Sequence, residues 1–258
     1  YNTLNGYGGL PPSICQLYHI TYINFDWTSI DGVLPNCLGY NQTKLIELTM
    51  IGNRLSGTIP SSLCFATSLE VMNLSVGGLI GTLPTCIGSS LNHLHLLIIE
   101  TNQLTGTIPN EYCQLNKLNI LSLNGNQLQG TIPTCIGDLL KLGSLYLYFN
   151  SLTGTMPDSL CSLRSLGSLN VHKNQLTGTI PSCLGSSLPL LEYLVLEFNS
   201  LSGTMPDSIC LCTNLIWLYF SYNMLTGTIP TCIGKMDRLT ELVLSHNLFS
   251  GSIPESLC

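Results

Sequence analysis

One sixteen-residue phrase constrains the whole chain. Its clearest copy runs from Leu118 to Pro133, LNILSLNGNQLQGTIP, with apolar residues at Leu118, Leu121, Leu123, Leu128 and Ile132. Asn126 falls between the two halves, Gly130 follows, and Pro133 closes the phrase. The closing proline recurs at Pro11, Pro35, Pro60, Pro84, Pro109, Pro133, Pro157, Pro181, Pro206, Pro230 and Pro254, always 24 or 25 residues from the last. A glycine stands three residues before each, from Gly8 to Gly251. Self-similarity at such a period marks a stacked-repeat architecture. One coil cannot bury its own apolar face, but in a stack each coil covers its neighbours.

Each position has a physical reading. The alternation Leu121-x-Leu123 predicts a short strand with one face inward. Strands of successive coils then pair in parallel at about 4.8 Å. The asparagine turns the chain out of the strand, and its amide can bond backbone groups of adjacent coils. It recurs at Asn53, Asn102, Asn126, Asn150, Asn174, Asn199, Asn223 and Asn247. Thr28 and Gly77 stand in its place in two early coils, where a weaker ladder is expected. The glycine permits close packing or positive φ, and the proline suits the first turn of a short helical segment.

This unit, L-x-x-L-x-L-x-x-N-x-L-x-G-x-I-P, resembles the plant-type leucine-rich repeat over about residues 20–258. The expected fold is an α/β repeat solenoid. In detail it is a right-handed leucine-rich-repeat superhelix of ten to eleven coils, with a concave parallel sheet and short helical or 3-10 segments on the convex side. Plant-type relatives include extracellular receptor ectodomains and polygalacturonase-inhibiting proteins. The resemblance implies binding through the concave face.

The unbroken repeat argues for one elongated domain, with residues 1–19 as an irregular first coil and 20–258 as the solenoid. Asn2-Thr3-Leu4-Asn5-Gly6 matches N-x-L-x-G two residues too early for Pro11. No cap is visible at either end, and an uncapped solenoid exposes its core and strand edges. The expectation is therefore a longer natural protein or a second subunit over the end.

Charged residues make up only 9% of the chain, far below the usual quarter, so Ser, Thr, Asn, Gln and Gly must cover the outside. The net charge of −6 with no basic run argues against nucleic acid and anionic membranes as partners. No apolar stretch reaches membrane-spanning length.

The twelve cysteines are periodic as well. Cys15, Cys64, Cys113, Cys161, Cys210 and Cys258 fall four residues after an anchor proline. Cys37, Cys86, Cys135, Cys183 and Cys232 fall two after, in strict alternation, so the full period is a pair of coils of about 49 residues. The first kind precedes the next second kind by 22 residues throughout, whereas the other spacing wavers between 26 and 27. A constant spacing suits a geometry-sensitive bond. The expected disulfides are Cys15–Cys37, Cys64–Cys86, Cys113–Cys135, Cys161–Cys183 and Cys210–Cys232. Cys212 is left spare and Cys258 unpaired. Disulfides imply an oxidising, extracellular setting, with which the sequons at Asn41 and Asn73 agree.

Outward strand positions include Tyr22, Asn24, Asp26, Glu47, Thr49 and Ile51 early on. Later come Ser144, Tyr146, Tyr148, Ser168, Asn170, His172, Tyr193, Val195, Glu197, Trp217, Tyr219 and Ser221. Aromatics gather at Tyr146, Tyr148, Tyr193, Trp217 and Tyr219, with Glu197 among them. Such rings suit stacking on sugars or anchoring a peptide, although strands favour aromatics in any case. A second pattern is a double hydroxyl column. One column stands two residues before each anchor, as at Thr131, Thr155, Thr179, Thr204 and Thr228; the other stands four before, as at Thr153, Thr177, Ser202 and Thr226. Extended backbone sets the columns about 7 Å apart. Three readings compete: a solvated β-favouring edge, a carrier of O-linked glycans, and an ice-facing array.

No catalytic constellation appears. His19, His93, His95, His172 and His246 show no ligand or nucleophile spacing. His93-x-His95 reads as surface histidines before a metal pair. The acids are scattered singly, and there is no phosphate loop or dinucleotide fingerprint. Neither metal nor cofactor is expected. The leading expectation is a secreted or cell-surface recognition scaffold for a protein, peptide or glycan, with the aromatic strand face as its site. The runner-up is a structural subunit of an extracellular filament or matrix, copies meeting end to end. Ice binding through the Thr-Gly-Thr columns comes third.

Overall fold

A computed structural model describes residues 9–257. The expectations for Asn2–Gly6 and Cys258 lie outside the described residues. The chain divides into two compact units, Tyr1–Gln129 and Gly130–Cys258.

In the first unit, five short parallel strands form the main sheet: Tyr22–Asn24, Glu47–Thr49, Val71–Asn73, Leu96–Ile98 and Ile120–Ser122. Their central residues stand in register, Ile23 against Leu48, then Met72, Leu97 and Leu121, all buried. The second unit repeats the arrangement with Ser144–Tyr146, Ser168–Asn170, Tyr193–Val195, Trp217–Tyr219 and Glu241–Val243. Here Leu145, Leu169, Leu194 and Leu218 form the inward row. Inward leucine at every second position is what period-two alternation demands. The chain is thus a leucine-rich-repeat solenoid.

The repeat asparagines hold successive coils together. Asn223 shows the pattern: its Oδ1 accepts from the Leu201 backbone N–H at 3.0 Å, and its Nδ2 donates to the Leu196 and Phe220 carbonyls at 3.0 and 3.1 Å. Asn53, Asn102, Asn126, Asn174, Asn199 and Asn247 bond one coil back in the same way. At Thr28 the hydroxyl donates to the Phe25 carbonyl of its own coil at 2.7 Å and lies 3.1 Å from Asn53 Oδ1 of the next.

After the second half of each phrase, the anchor proline caps a 3-10 segment instead of entering it. The caps Pro60, Pro109, Pro133, Pro157, Pro206 and Pro230 have φ between −73 and −55, and each carbonyl accepts the first helical bond. Two segments are α-helical, Cys86–Ser90 and Leu184–Ser187. Both follow prolines whose next anchor is 25 residues away. The α form rises less per residue than 3-10, so it takes up the extra residue without lengthening the coil.

The helical side also explains the two-coil period. Disulfides join Cys15–Cys37, Cys64–Cys86, Cys161–Cys183 and Cys210–Cys232, with Cα atoms 5.8–5.9 Å apart. Cys113 and Cys135 are disulfide-bonded too. Two residues after each second-kind cysteine comes a glycine: Gly39, Gly88, Gly137, Gly185 and Gly234. The backbone of the following helical segment lies directly against it. A Cβ on Gly185 would fall 1.7 Å from the Ser208 carbonyl oxygen, and one on Gly234 1.9 Å from that of Ser256. On this side, disulfide junctions therefore alternate with glycine junctions. Cys212, spare in the pairing scheme, is fully buried and free. It occupies the core position that Leu163 and Leu188 fill in neighbouring coils, and burial pushes its thiol up to about 11. Its role is that of a small apolar filler.

Candidate ligand-binding face

The outward positions of the second unit's main strands build the candidate site. Register sets Ser168, Tyr193, Trp217 and Glu241 in one row. Tyr146, Asn170, Val195 and Tyr219 form the next. The expected aromatic patch is in fact two clusters. Tyr193 meets Trp217 edge to face at 5.0 Å, and Trp217 lies parallel to Tyr219 at 5.8 Å and 7°. Tyr146 and Tyr148 pair at 6.5 Å. Tyr146 and Tyr219 share a row but stand three coils apart, roughly 14 Å at normal strand spacing. Asn170 and Val195 lie between them.

The charges on this face are tuned by their neighbours. Tyr219 donates its phenolic proton to Glu241. That hydrogen bond, then burial and the nearby charges of Glu241 and Glu197, pushes the phenol up to about 12. Burial raises the Glu197 carboxyl above its ordinary range, and a hydrogen bond from Ser221 opposes the shift. His172 is held below its ordinary value by burial and then by Lys173. Its Nδ1 lies 3.7 Å from Glu197 Oε2, too far for a hydrogen bond, and is buried without a partner. Burial opposes the charged form of both groups, so this is a weak ion pair.

Sequence reasoning missed one row. Phe149, Lys173, Phe198, Tyr222 and His246 immediately precede the repeat asparagines and have φ between 50 and 54. This left-handed step breaks the alternation, so two consecutive residues face outward at each strand exit. The row braces itself. Phe198 stacks on Tyr222 at 4.1 Å and Tyr222 on His246 at 4.0 Å. Lys173 Nζ lies 4.6 Å from the Phe149 centroid and 5.4 Å from that of Phe198. His172 stands edge-on between the same two rings. A column of bulky residues before the second unit's asparagines was the available signal.

The first unit's face is different. Trp27 lies flat over Gly52, where a Cβ would fall 2.2 Å from the ring. Asn73 sits on this face, its Oδ1 accepting from the Ser75 hydroxyl at 2.6 Å; Asn41 is exposed. His93 Nδ1 lies 3.2 Å from the Thr67 carbonyl. Among the described residues, no group of three His, Cys, Asp or Glu is arranged to hold a metal. No described helix is long and apolar enough to cross a membrane.

The two hydroxyl columns turn out unequal. Thr153, Thr177, Ser202 and Thr226 donate to the carbonyls of Gly130, Gly154, Gly178 and Gly203 at 3.2–3.3 Å. Thr131, Thr155, Thr179, Thr204 and Thr228 are exposed, and their hydroxyls make no hydrogen bond among the described residues. Their methyls point at the next glycine: a Cβ on Gly154, Gly178, Gly203, Gly227 or Gly251 would meet the preceding threonine Cγ2 at 2.7–3.1 Å. Each of these threonines thus packs its methyl over the glycine of the next coil.

Coils, asparagine ladder and proline-capped segments together define a leucine-rich-repeat solenoid. Two leucine-rich-repeat family models match, one over residues 189–249, the other over 44–66, 117–139, 141–163 and 165–187; the chain belongs to the leucine-rich-repeat family, in its plant-type form. It is similar to the plant peptide hormone receptor RGFR1, solved in complex with RGF2. The identity is 34% over 97% of this chain and 43% of that one, with a TM-score of 0.84. It is also similar to the Arabidopsis receptor kinase HAESA, solved with the peptide hormone IDA and the co-receptor SERK1, at 31% identity over 97% and 41% and a TM-score of 0.92. A plant ice-binding protein matches at 28% identity over 90% and 74%, with a TM-score of 0.80. The chain spans under half the length of the two receptor chains. No curated protein matches it in sequence.

Proposed function

We propose that the chain is a non-catalytic extracellular recognition module that binds a peptide through the main-sheet face of its second unit. The observation that carries this reading is the cluster of Tyr193, Trp217 and Tyr219 on short, rigid, register-paired strands, with Trp217 38% exposed. Aromatics on a rigid scaffold are the residues that dominate interface energetics. The peptide complexes of RGFR1 and HAESA support the same ligand class, and the disulfides fit an oxidising compartment.

Selection from a random library supplies the peptide for the test. A displayed random-peptide library is selected on the wild-type chain, and the winners are measured against the variant carrying Trp217→Ala and Tyr219→Ala. Two anchors at about 2 kcal/mol each imply a loss of roughly 100-fold or more. Winners that bind both proteins equally would remove the assignment.

A second reading rests on the outer threonine column. Its exposed hydroxyls, repeated along the coils with each methyl set over a glycine, form a regular array suited to ice, and the ice-binding neighbour supports it. This reading expects shaped ice crystals and a freezing-point gap that Thr155→Lys with Thr179→Lys abolishes. Unshaped crystals with the wild-type chain exclude it.

A further inference from the structure

The main-sheet face of the second unit carries two groups of aromatic rings. In both, the rings contact one another. The row of Phe149, Phe198, Tyr222 and His246 already has a cation of its own, Lys173. At Tyr193, Trp217 and Tyr219 the situation differs. Lys173 is the only cation over a ring among the described residues, so none lies over this trio. Arg238 is held elsewhere, 2.6 Å from Asn214 Oδ1 and 3.8 Å from Glu192 Oε1.

The carboxylates complete the picture. Glu241 stands directly across from Trp217 in the strand register, fixed in place by the Tyr219 hydroxyl. The charge of Glu197 also reaches Tyr219. Electron-rich ring faces beside fixed negative charge are complementary to a cation. A planar guanidinium suits the parallel Trp217 and Tyr219 rings better than an ammonium, because it can stack on a ring and still direct its N–H groups to a carboxylate.

We infer that Tyr193, Trp217, Tyr219 and Glu241 form a subsite for an arginine side chain of the bound peptide. The inference rests on the proposed peptide-binding reading and names the ligand chemistry at one end of its site. Recognition is by cation–π contact with Trp217 and charge pairing with Glu241. The other aromatic end, Tyr146 and Tyr148, is not assigned this role.

The experiment uses the whole chain with Trp27→Phe, which leaves Trp217 as the single tryptophan of the two. Three probes are titrated against Trp217 emission: the blocked tripeptide Ac-Ser-Arg-Ser-NH2, its citrulline counterpart, and cellotetraose. Citrulline keeps the shape and loses the charge. The expected result is a saturable response to the arginine peptide, about tenfold tighter than to citrulline, as an exposed cation–π contact together with the charge of Glu241 implies. Glu241→Gln should weaken the arginine peptide about fivefold, an effect that fades as salt is raised. Equal or tighter binding of citrulline or cellotetraose would overturn the cation assignment while leaving the face a binding surface. Silence of Trp217 toward the arginine peptide would overturn it too. Whether the peptide-binding reading falls as well is decided separately by the Trp217→Ala, Tyr219→Ala comparison.

Discussion

Alanine at Gly185 destabilises the second unit by about 3 kcal/mol or more, at the upper end of overpacking costs. The new Cβ would sit 1.7 Å from the Ser208 carbonyl oxygen, 2.2 Å from its carbonyl carbon and 2.7 Å from the Ile209 nitrogen. All three are backbone atoms of the next helical segment, so no rotamer change relieves the clash. The segment must move away, and Ile209, fully buried behind it, moves too. The adjoining junction is the Cys210–Cys232 disulfide, which limits how far the displacement can spread. Thermal melting followed by circular dichroism should show a drop of roughly 10 °C. Gly167→Ala is the control. Its Cβ meets nothing closer than 3.6 Å, and its φ is not in the left-handed region. That variant should be neutral or slightly stabilised, since alanine restricts the unfolded chain. Equal melting temperatures for the two variants would contradict the glycine-junction account.

Asn223→Ala carries the second large effect. The Asn223 side chain is buried and ties the backbone of two coils together, accepting from Leu201 N–H and donating to Leu196, Phe220 and, at 3.3 Å, Ser221. Its removal orphans a buried donor and at least one buried acceptor. Each such group costs about 1–3 kcal/mol, so a total of about 3–5 kcal/mol is expected in urea unfolding. Asn223→Asp should recover part of this, because a carboxylate oxygen can still accept from Leu201 N–H. A cost below about 1 kcal/mol for the alanine variant would mean that water replaces the asparagine, and that the ladder is not what couples the coils.

The strands, the inward leucine rows and the bonding asparagines were legible in the sequence because a fixed period exposes every position many times over. Thr28 and Gly77 are instructive: Gly77 has no side chain to bond with, and the Thr28 hydroxyl reaches the Phe25 carbonyl within its own coil, so neither reproduces the two-sided amide bonding of the asparagines. The cysteine alternation was legible too. Its partner, the glycine two residues after each second-kind cysteine, shows the same period but reveals its purpose only when the next coil's backbone is seen against it. The site was legible in part. Tyr193, Trp217 and Tyr219 do come together, but strand register separates them from Tyr146 and Tyr148. The row from Phe149 to His246 stayed hidden because alternation places residue 149 inward and the left-handed step places it outward. The inequality of the two hydroxyl columns was equally invisible, since it depends on which carbonyl of the preceding coil each hydroxyl reaches.

The proposed function rests on one surface, and hydroxyl-radical footprinting of the chain with and without its best library-selected peptide tests that proposal most directly. Oxidation of Tyr193, Trp217 and Tyr219 should fall sharply on binding, while exposed Trp27, Tyr40 and Phe65 in the first unit stay as reactive as in the free chain. Protection confined to residues away from the second unit's strand face, with Trp217 still fully reactive, would contradict it.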